Sequence, residues 1–219
     1  LTITAVRDEQ QQVANYVATL NDITFRKQAE DEIKHLAFYD PLTKLPNRRL
    51  MLDRLRHALA VAERDDRHGA LMLLDLDNFK TLNDTHGHDA GDRLLIEASG
   101  RLESCVRAGD TVARLGGDEF VVLLEGLNET LEIATQAEIV AKKILACLSR
   151  PYEIEVNQIS PNGCVRVSHQ HTCTASVGIT LFDDQAAAVE ELLKRADTAM
   201  YEAKAAGRDT FRFFDLQMQ

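Results

Sequence analysis

Along most of this chain, short apolar runs alternate with segments in which apolar residues recur at helical spacing. This pattern is densest after residue 40. Ala70–Leu74 is a near-continuous apolar run, which is typical of a strand buried on both faces. Two more apolar-rich stretches, Thr111–Leu115 and Phe120–Leu124, flank four residues with the sequence Gly-Gly-Asp-Glu. Because glycine lets the chain turn sharply, this arrangement predicts a tight β-hairpin with two acidic residues at its bend.

The remaining pattern predicts a fold of mixed type. Helices are expected near residues 48–64, 78–85, 90–106, 130–149 and 188–206. Strands near 152–157 and 165–182 are expected to form a second hairpin, and the domain is closed by a last strand, Thr210–Phe214. Helices that alternate with adjacent and non-adjacent strands indicate an α+β fold, an α/β sandwich in which helices pack on a mixed sheet.

The first forty residues follow a different pattern. Val13–Leu20 is expected to be a strand without a partner nearby, and Asp22 is a suitable N-cap for a helix that runs through Arg26–Phe38. The apolar stripe of this helix is too short for a coiled coil to be inferred from it: Ala29, Ile33 and Leu36. We therefore interpret the helix as a linker between an upstream domain and the part that begins at residue 40.

Composition and charge narrow the classes of function. The 219 residues are 45% hydrophobic and 27% charged, which are values of a globular protein. The net charge of −10 argues against broad nucleic-acid binding, but a small anionic substrate is compatible with it if a metal and local cations neutralise the substrate. No apolar run approaches the roughly 18 residues that a membrane segment needs. Reduced thiols in a cytoplasmic protein are indicated by four irregularly spaced cysteines: Cys105, Cys147, Cys164 and Cys173.

Two acidic segments are the first candidates for chemistry. Asp118 and Glu119 lie at the predicted bend, and Asp75 and Asp77 follow the buried strand at a spacing that places both on one face. Carboxylates at the end of a buried strand are costly unless a cation neutralises them, and a divalent metal that carries phosphates would do so. Lys80 could then pair with phosphate oxygens. The same residues are also compatible with an ordinary polar turn and strand-end capping.

A histidine-containing segment is a second candidate for a metal site. His169, His171 and Cys173 alternate onto one strand face and could ligate a metal. This face is expected to continue toward the core through Ala175, Val177, Ile179 and Leu181. We therefore favour a lengthened hairpin without a metal. His86 and His88 are accounted for by loop polarity and helix capping.

Five blocks of sequence resemble, in the same order, those of the GGDEF family over roughly residues 40–214. They are Asp40-Pro41-Leu42-Thr43-x-Leu45-Pro46-Asn47-Arg48, Asp75-x-Asp77-x-Phe79-Lys80-x-x-Asn83-Asp84, Gly87-His88-x-x-Gly91-Asp92, Gly116-Gly117-Asp118-Glu119-Phe120 and Tyr201-x-Ala203-Lys204-x-x-Gly207-Arg208. The resemblance implies the family's palm-like fold, which has a central, mostly antiparallel mixed sheet of about five strands flanked by helices, plus a β-hairpin.

The resemblance also implies diguanylate cyclase activity, in which two GTP molecules condense to cyclic di-GMP and two pyrophosphates. It assigns catalysis to Asp75, Asp118 and Glu119, and it assigns two Mg²⁺ or Mn²⁺ ions per active site to these side chains and the carbonyl of Leu76. The implied GTP-binding residues are Asn78, Phe79, Lys80, Asn83, Asp92, Gly116, Gly117, Lys204 and Arg208. The reaction needs two GTP molecules that face each other, and a chain without an internal repeat offers one nucleotide pocket. The resemblance therefore implies a homodimer that supplies both pockets.

Some of these residues have a second interpretation. In the family, Asp92 and Asn83 choose the base, because Asp accepts from guanine N1–H and its amine and Asn can serve O6 or N3. Taken alone, Asp92 would be the N-cap of a helix that starts near Arg93. Lys204 and Arg208 are expected to share a helix face as a phosphate clamp, but alone they would be a solvated surface pair.

Five residues separate Arg107-x-x-Asp110 from Gly116, and in the family this spacing marks the inhibitory site that binds the product cyclic di-GMP. Arginine can grip a phosphate or stack on guanine, and Asp can hold the guanine edge. Alone, the pair would be structural. Two features depart from the family pattern: the hairpin over 157–173 is longer than usual, and Asp209 occupies a position that is often Asn.

The resemblance divides the chain into four parts. Residues 1–21 resemble the end of a PAS domain, 22–39 its signalling helix, and 40–215 the GGDEF domain, while 216–219 begin a linker to a downstream domain. The final residues resemble the lead-in to an EAL phosphodiesterase domain in tandem proteins. An alternative function stays open: a regulatory module that binds GTP or cyclic di-GMP and controls a neighbouring domain without turnover.

Overall fold

The computed structural model describes residues 2–7, 9–19, 22–25, 27, 36–65, 67–127, 133–160, 163–183 and 188–215, and the chain divides into two compact units, Leu1–Ala37 and Phe38–Gln219. In the first unit, β1 (Thr2–Arg7) pairs antiparallel with β2 (Val13–Thr19). The expectation that the second strand has no local partner is therefore wrong. Most of the predicted linker helix lies outside the described residues, and the PAS assignment stays a prediction.

The second unit contains the elements that carry the candidate chemistry. Its helices are α1 (Arg48–Asp65), α2 (Phe79–His86), α3 (His88–Cys105), α4 (Ile133–Leu148) and α5 (Val189–Ala205). Its strands are β3 (His68–Leu76), β4 (Thr111–Gly116), β5 (Glu119–Leu127), β6 (Tyr152–Ser160), β7 (Gly163–His171), β8 (Ala175–Phe182) and β9 (Thr210–Phe213). Within the described ranges, no helix has the length and apolar character needed to cross a bilayer.

Five of these strands form the central sheet, in the order β4-β5-β3-β8-β9. β9 runs parallel to β8, and every other neighbouring pair is antiparallel. The sheet is flanked by helices on both faces. This arrangement confirms the predicted α+β fold with a mixed, mostly antiparallel sheet.

β3 is the central strand, and its continuous apolar sequence follows from burial on both faces. Met72 and Leu74 belong to a core cluster shared with residues of α3 and α4. Leu71 and Leu73 belong to a second cluster with residues of α1 and α5. Because each fully buried leucine is worth about 1.5–3 kcal/mol, β3 fixes the sheet between two helical layers and holds its carboxyl-terminal end in place.

The second predicted hairpin ends earlier than the sequence pattern suggests. β6 and β7 pair as a separate two-stranded sheet, and the chain then enters the central sheet as β8. The expectation of one strand over 165–182 is therefore wrong. The chain between β7 and β8 is held by Asp77, whose N–H donates to the Thr174 carbonyl (2.8 Å) and whose carboxylate accepts from the Thr174 hydroxyl (2.7 Å).

This break also changes the face that carries the histidines. His169 is exposed and lies beside His86, with 5.4 Å between the ring centroids. Cys173 is buried and its thiol donates to the Asp77 carbonyl, while Leu181 at the other end is exposed. Cys173, Ala175, Val177 and Ile179 are buried in one core cluster. The expectation that this face points at the core is therefore confirmed between Cys173 and Ile179 and wrong at its two ends, His169 and Leu181. Burial raises the pKa of the Cys173 thiol to about 12, so this thiol stays neutral near pH 7.

Candidate active site at one end of the central sheet

The bend between β4 and β5 depends on its two glycines. β4 ends at Gly116 and β5 begins at Glu119, so Gly117 and Asp118 form the turn. Gly116 has φ of 148° and Gly117 has φ of 53°, conformations that residues with a Cβ rarely adopt. The predicted hairpin with carboxylates at its bend is confirmed.

Arg114 joins this bend to the segment in which the second unit begins. Its Nε and Nη2 donate to the Gly117 carbonyl (3.0 and 2.8 Å), and its Nη1 donates to Asp40 Oδ1 (2.9 Å). The same Asp40 oxygen accepts from the N–H and hydroxyl of Thr43 (2.8 and 2.7 Å). Burial opposes the charge of Asp40, but the hydrogen bonds from Thr43 and Arg114 outweigh burial and lower its pKa.

Asp40→Asn is expected to lower the free energy of unfolding by about 1.5–3 kcal/mol at pH 7, because it removes a charged acceptor and leaves Arg114 without its anion. A depressed carboxyl pKa stabilises the fold above the unfolded-state value and loses this effect as pH falls through the folded value. The difference from the parent chain should therefore shrink below about pH 4, as urea denaturation at several pH values would show. Asp65→Asn, which breaks an exposed pair with Arg64, is the matched control and should change stability little. An equal loss at acid pH would contradict this explanation.

The acidic residues of the two segments meet at the end of β3. Asp75 is the direct cross-strand partner of Glu119, and the N–H of the next residue, Leu76, donates to the Asp118 carbonyl (3.3 Å). Lys204 Nζ lies 2.8 Å from Asp75 Oδ2. The structure therefore brings three predicted acidic residues and one predicted cation to one end of the sheet.

The surroundings of Asp75 and Glu119 raise the pKa of both carboxyl groups. Burial raises the pKa of Asp75, and the charges of Asp118 and Asp77 raise it further against the opposing effect of Lys204. Burial also raises the pKa of Glu119, with Asp75 and Asp118 as the next causes. A bound cation would relieve this repulsion.

The chemistry of the donor set fits a hard divalent cation. Asp75, Asp118, Glu119 and the Leu76 carbonyl offer only oxygen ligands, as Mg²⁺ and Mn²⁺ prefer. In the part of the chain that the structure describes, no three His, Cys, Asp or Glu side chains are gathered closely enough to hold a metal. Lys204 instead neutralises Asp75, so metal binding would require this ion pair to open.

Asn83 and Gly91 form a contact point between α2 and α3. Asn83 Oδ1 is buried, and no hydrogen-bond partner for it is found among the described residues. A Cβ built on Gly91 would overlap this oxygen and would lie 3.0 Å from Phe79 Cζ. Because Gly91 has no side chain, it leaves the space that the Asn83 amide occupies. An acceptor held in this way is suited to a ligand donor.

The structure corrects two expectations, that Asp92 taken alone is an N-cap and that Arg208 shares a helix face with Lys204. α3 begins at His88 and Gly87 is its N-cap position, so Asp92 lies inside the helix as an exposed residue and is not a cap. α5 ends at Ala205, so Arg208 lies beyond it and does not share a helix face with Lys204. The expected clamp from one helix face is wrong, and any joint action must come from a helix and the turn that follows it.

The remaining phosphate candidates surround the start of α2. Asn78 has the left-handed conformation (φ 59°), and α2 begins at Phe79. The first amides of a helix have no intrahelical acceptor and favour anions. Lys80 is exposed in this first turn. The positions suit phosphate binding, while their role stays a prediction.

Arg107 and Asp110 contact each other on the α3–β4 connection. Arg107 Nε lies 3.3 Å from Asp110 Oδ1, and its Nη2 donates to the Glu125 carbonyl (2.7 Å). Asp110 is almost fully buried, whereas the Arg107 side chain is 59% exposed. Three cavities of about 300, 300 and 350 Å³ adjoin Arg107. The pair is thus part of the local structure and also borders space for a ligand.

Sequence reasoning missed how two residues support the site. Arg114 was not selected, although it holds the bend from behind. The sequence indicates only that Asp77 shares a strand face with Asp75. In the structure Asp77 is buried and contacts three segments of the chain. Its alternation with Asp75 gave no indication of this, because the partners are about 100 residues or more away in sequence.

Comparison with known proteins relates the chain to one family. The family profile described as "Diguanylate cyclase, GGDEF domain" matches residues 37–210. The chain is 46% identical over 190 residues to the bifunctional diguanylate cyclase/cyclic di-GMP phosphodiesterase MucR of Pseudomonas aeruginosa, with coverage of 87% of the chain and 25% of that protein. It spans about a quarter of the length of the curated relatives that it matches.

Solved structures give the same relationship. The chain is similar to the GGDEF domain of TpbB (YfiN) from Pseudomonas aeruginosa, with a TM-score of 0.71, 35% identity, and coverage of 82% of this chain and 96% of the other. It is also similar to the coiled coil and GGDEF domain of DgcB from Caulobacter crescentus in complex with c-di-GMP, with a TM-score of 0.70, 25% identity, and coverage of 87% and 93%.

Proposed function

This chain belongs to the diguanylate cyclase, GGDEF domain, family, and from that premise we propose that it condenses two GTP molecules into cyclic di-GMP and two pyrophosphates. The observation that supports this proposal most is the meeting of Asp75, Asp118 and Glu119 at one end of the sheet, beside Lys204. Because GTP is an intracellular nucleotide, we place the reaction in the cytoplasm.

Two Mg²⁺ or Mn²⁺ ions, held by Asp75, Asp118, Glu119 and the Leu76 carbonyl, would acidify the attacking 3′-hydroxyl and neutralise the leaving pyrophosphate. We assign removal of the hydroxyl proton to Glu119, the cross-strand partner of Asp75. Lys204 would release Asp75 and turn to phosphate oxygens.

Other residues of the chain would bind and orient GTP. The amides of Phe79 and Lys80 and the adjacent Asn78 lie at the start of α2, where a helix favours phosphates. The buried oxygen of Asn83 and the exposed carboxylate of Asp92 would select guanine. The open bend of Gly116 and Gly117 would let phosphates approach the backbone closely.

A second copy of the chain is part of this proposal. One chain supplies one set of these residues, and ring closure requires a hydroxyl of each GTP near the α-phosphate of the other. A two-fold homodimer provides that geometry. We therefore propose that turnover rises faster than linearly with enzyme concentration. Product formation strictly proportional to enzyme at high dilution would contradict the dimer.

Product inhibition at Arg107 and Asp110 belongs to the same proposal. The exposed guanidinium of Arg107 beside three cavities supports binding of an anionic dinucleotide there. The DgcB structure with c-di-GMP adds support from a relative. Asp110 would have to exchange some of its contacts with Arg107 for contacts with guanine.

The second candidate is a module that binds GTP or cyclic di-GMP without turnover and controls a neighbouring domain. The ion pair of Lys204 with Asp75 favours it, because the cation occupies a ligand that catalysis assigns to metal. The short span of this chain relative to its relatives leaves room for such a domain.

Incubation with GTP and Mg²⁺ or Mn²⁺, followed by chromatography of the nucleotides, separates the two candidates. We expect cyclic di-GMP from the parent chain and at least about a hundredfold less from Asp118→Ala, since metal ligation contributes several kcal/mol to such reactions. Asp53→Ala, at an exposed acid of α1, is the matched control and should keep full activity. Bound GTP without product in the parent chain, at concentrations that give dimer, would favour the module and reject the cyclase.

A further inference from the structure

Asp77 is a buried acid directly after β3, and its burial must be compensated. The residue is only 4% exposed. An ionised carboxylate in such a place is stable only if it is fully hydrogen-bonded or paired. Asp77 meets this condition through side chains and backbone that come from distant parts of the sequence.

The carboxylate of Asp77 contacts three segments. Thr174, in the link before β8, donates its hydroxyl to Oδ2 (2.7 Å), and Ser176, in β8, donates its hydroxyl to Oδ1 (2.7 Å). The N–H of Asp209 donates to Oδ2 (3.1 Å), and Arg208 Nε lies 3.9 Å from Oδ1. Asp77 therefore joins the ends of β3 and β8 to the turn between α5 and β9.

That turn has an unusual backbone. Gly207, Arg208 and Asp209 have φ of 112°, 64° and 46°, so three successive residues are left-handed. For residues other than glycine, this conformation costs roughly 1–2 kcal/mol each and persists only when the surroundings hold it. The hydrogen bond from Asp209 N–H to the buried carboxylate of Asp77 stabilises this backbone conformation.

The side chain of Arg208 points outward from this anchored turn. It is 53% exposed, and its contact with Asp77 runs through Nε, the guanidinium nitrogen nearest the backbone. At 3.9 Å this contact is an ion pair and not a hydrogen bond, so the place of Arg208 depends mainly on the backbone of the turn. The anchored turn therefore carries Arg208 at the same end of the sheet as Asp75 and Lys204.

We propose that Asp77 is a positioning residue that holds the left-handed turn and so aims Arg208 at a nucleotide phosphate. Asp77 itself touches no substrate in this proposal. The inference rests on the proposed function for the identity of the ligand, because only there is Arg208 assigned to phosphate. The anchoring of the turn is independent of that assignment and can be measured separately.

The first measurement is amide hydrogen exchange at residue 209, followed by NMR. Asp77→Asn keeps the side-chain shape but replaces a charged acceptor with a neutral amide, whose hydrogen bonds are roughly half as strong, so Asp209 N–H should exchange at least about tenfold faster than in the parent chain. Asp53→Asn is the matched control and should leave this amide unchanged. Should Asp77→Asn fail to fold, Thr174→Val replaces it, since it removes one of the two hydrogen bonds to Oδ2. Unchanged exchange at residue 209 in the folded variant overturns the proposal.

The second measurement is the affinity for GTP by calorimetry, in a two-by-two set with Arg208→Ala. We expect Asp77→Asn to raise the Kd for GTP about fivefold to tenfold in the parent background, and to add little in the Arg208→Ala background. A merely structural role would weaken GTP equally in both backgrounds and would overturn the proposal, as would an unchanged Kd.

Failure of the proposed function gives a different result. If the parent chain itself binds no GTP, the assignment of GTP is wrong, and exchange at residue 209 then decides the anchoring. If the parent chain binds GTP and the Asp77 variants behave like the Asp53→Asn control in both measurements, this inference is rejected. The cyclase proposal then stays in place.

Discussion

Gly178→Ala is expected to lower the free energy of unfolding by about 3 kcal/mol or more, the upper range for an overpacked core. Gly178 lies in β8, where a Cβ would overlap the Ala196 carbonyl oxygen and the Met200 amide nitrogen and would lie 2.9 Å from Met200 Cα. These are backbone atoms of α5, so no side-chain rotation can make room. The helix must move away from the sheet as a body.

Urea denaturation measures this loss, and Gly100→Ala is its matched control. Among the described residues, a Cβ on Gly100 in α3 would meet no atom within 4 Å other than its chain neighbours and the backbone of its own helix. Its replacement should therefore stabilise the fold by up to about 1 kcal/mol. A displaced α5 would also move Lys204 from Asp75. Stability of Gly178→Ala within about 1 kcal/mol of the parent would mean that α5 does not depend on this close approach.

Gly91→Ala is expected to reduce the affinity for GTP by about tenfold to a hundredfold without a comparable loss of stability. The new Cβ would overlap Asn83 Oδ1, and Asn83 is a side chain that can rotate away. The fold therefore survives, while the amide leaves the place from which it would recognise guanine. Loss of one buried polar contact to a ligand costs on the order of 1–3 kcal/mol.

Calorimetric titration with GTP and with ATP tests this prediction. The parent chain should prefer GTP, and the preference should fall in Gly91→Ala because Asn83 no longer distinguishes the bases. Gly100→Ala, in the same helix, should bind GTP like the parent chain. Unchanged affinity and base preference in Gly91→Ala would show that Asn83 has no part in recognition.

The central sheet could be predicted because its signals are local. The apolar run at Ala70–Leu74 is continuous as a consequence of burial on both faces, and the bend at Gly116 and Gly117 needs backbone angles that glycine allows. Asp75 comes directly after the apolar run and Asp118 directly after the two glycines, so their positions at the end of the sheet could be predicted as well. For this part of the fold, neighbouring residues carry most of the structural information.

The features that could not be predicted depend on distant partners. The end of β7 is fixed by Asp77, which lies about 100 residues before it, and an alternating pattern continues through the break. Arg208 was placed on a helix because spacing alone does not indicate the left-handed turn after Ala205. The β1–β2 hairpin was missed because β1 has only weak alternation.

The order of strands in the central sheet has a consequence for biosynthesis. β3 pairs with β5 on one side and β8 on the other, and Gly69 is the partner of Phe182. At about 5–20 residues per second, a ribosome needs roughly 5–25 seconds to add the residues between these partners. During that time one apolar edge of β3 is unpaired. The nascent chain must therefore shield its future central strand until β8 has been translated, and agents that bind exposed strands should affect its yield most in this interval.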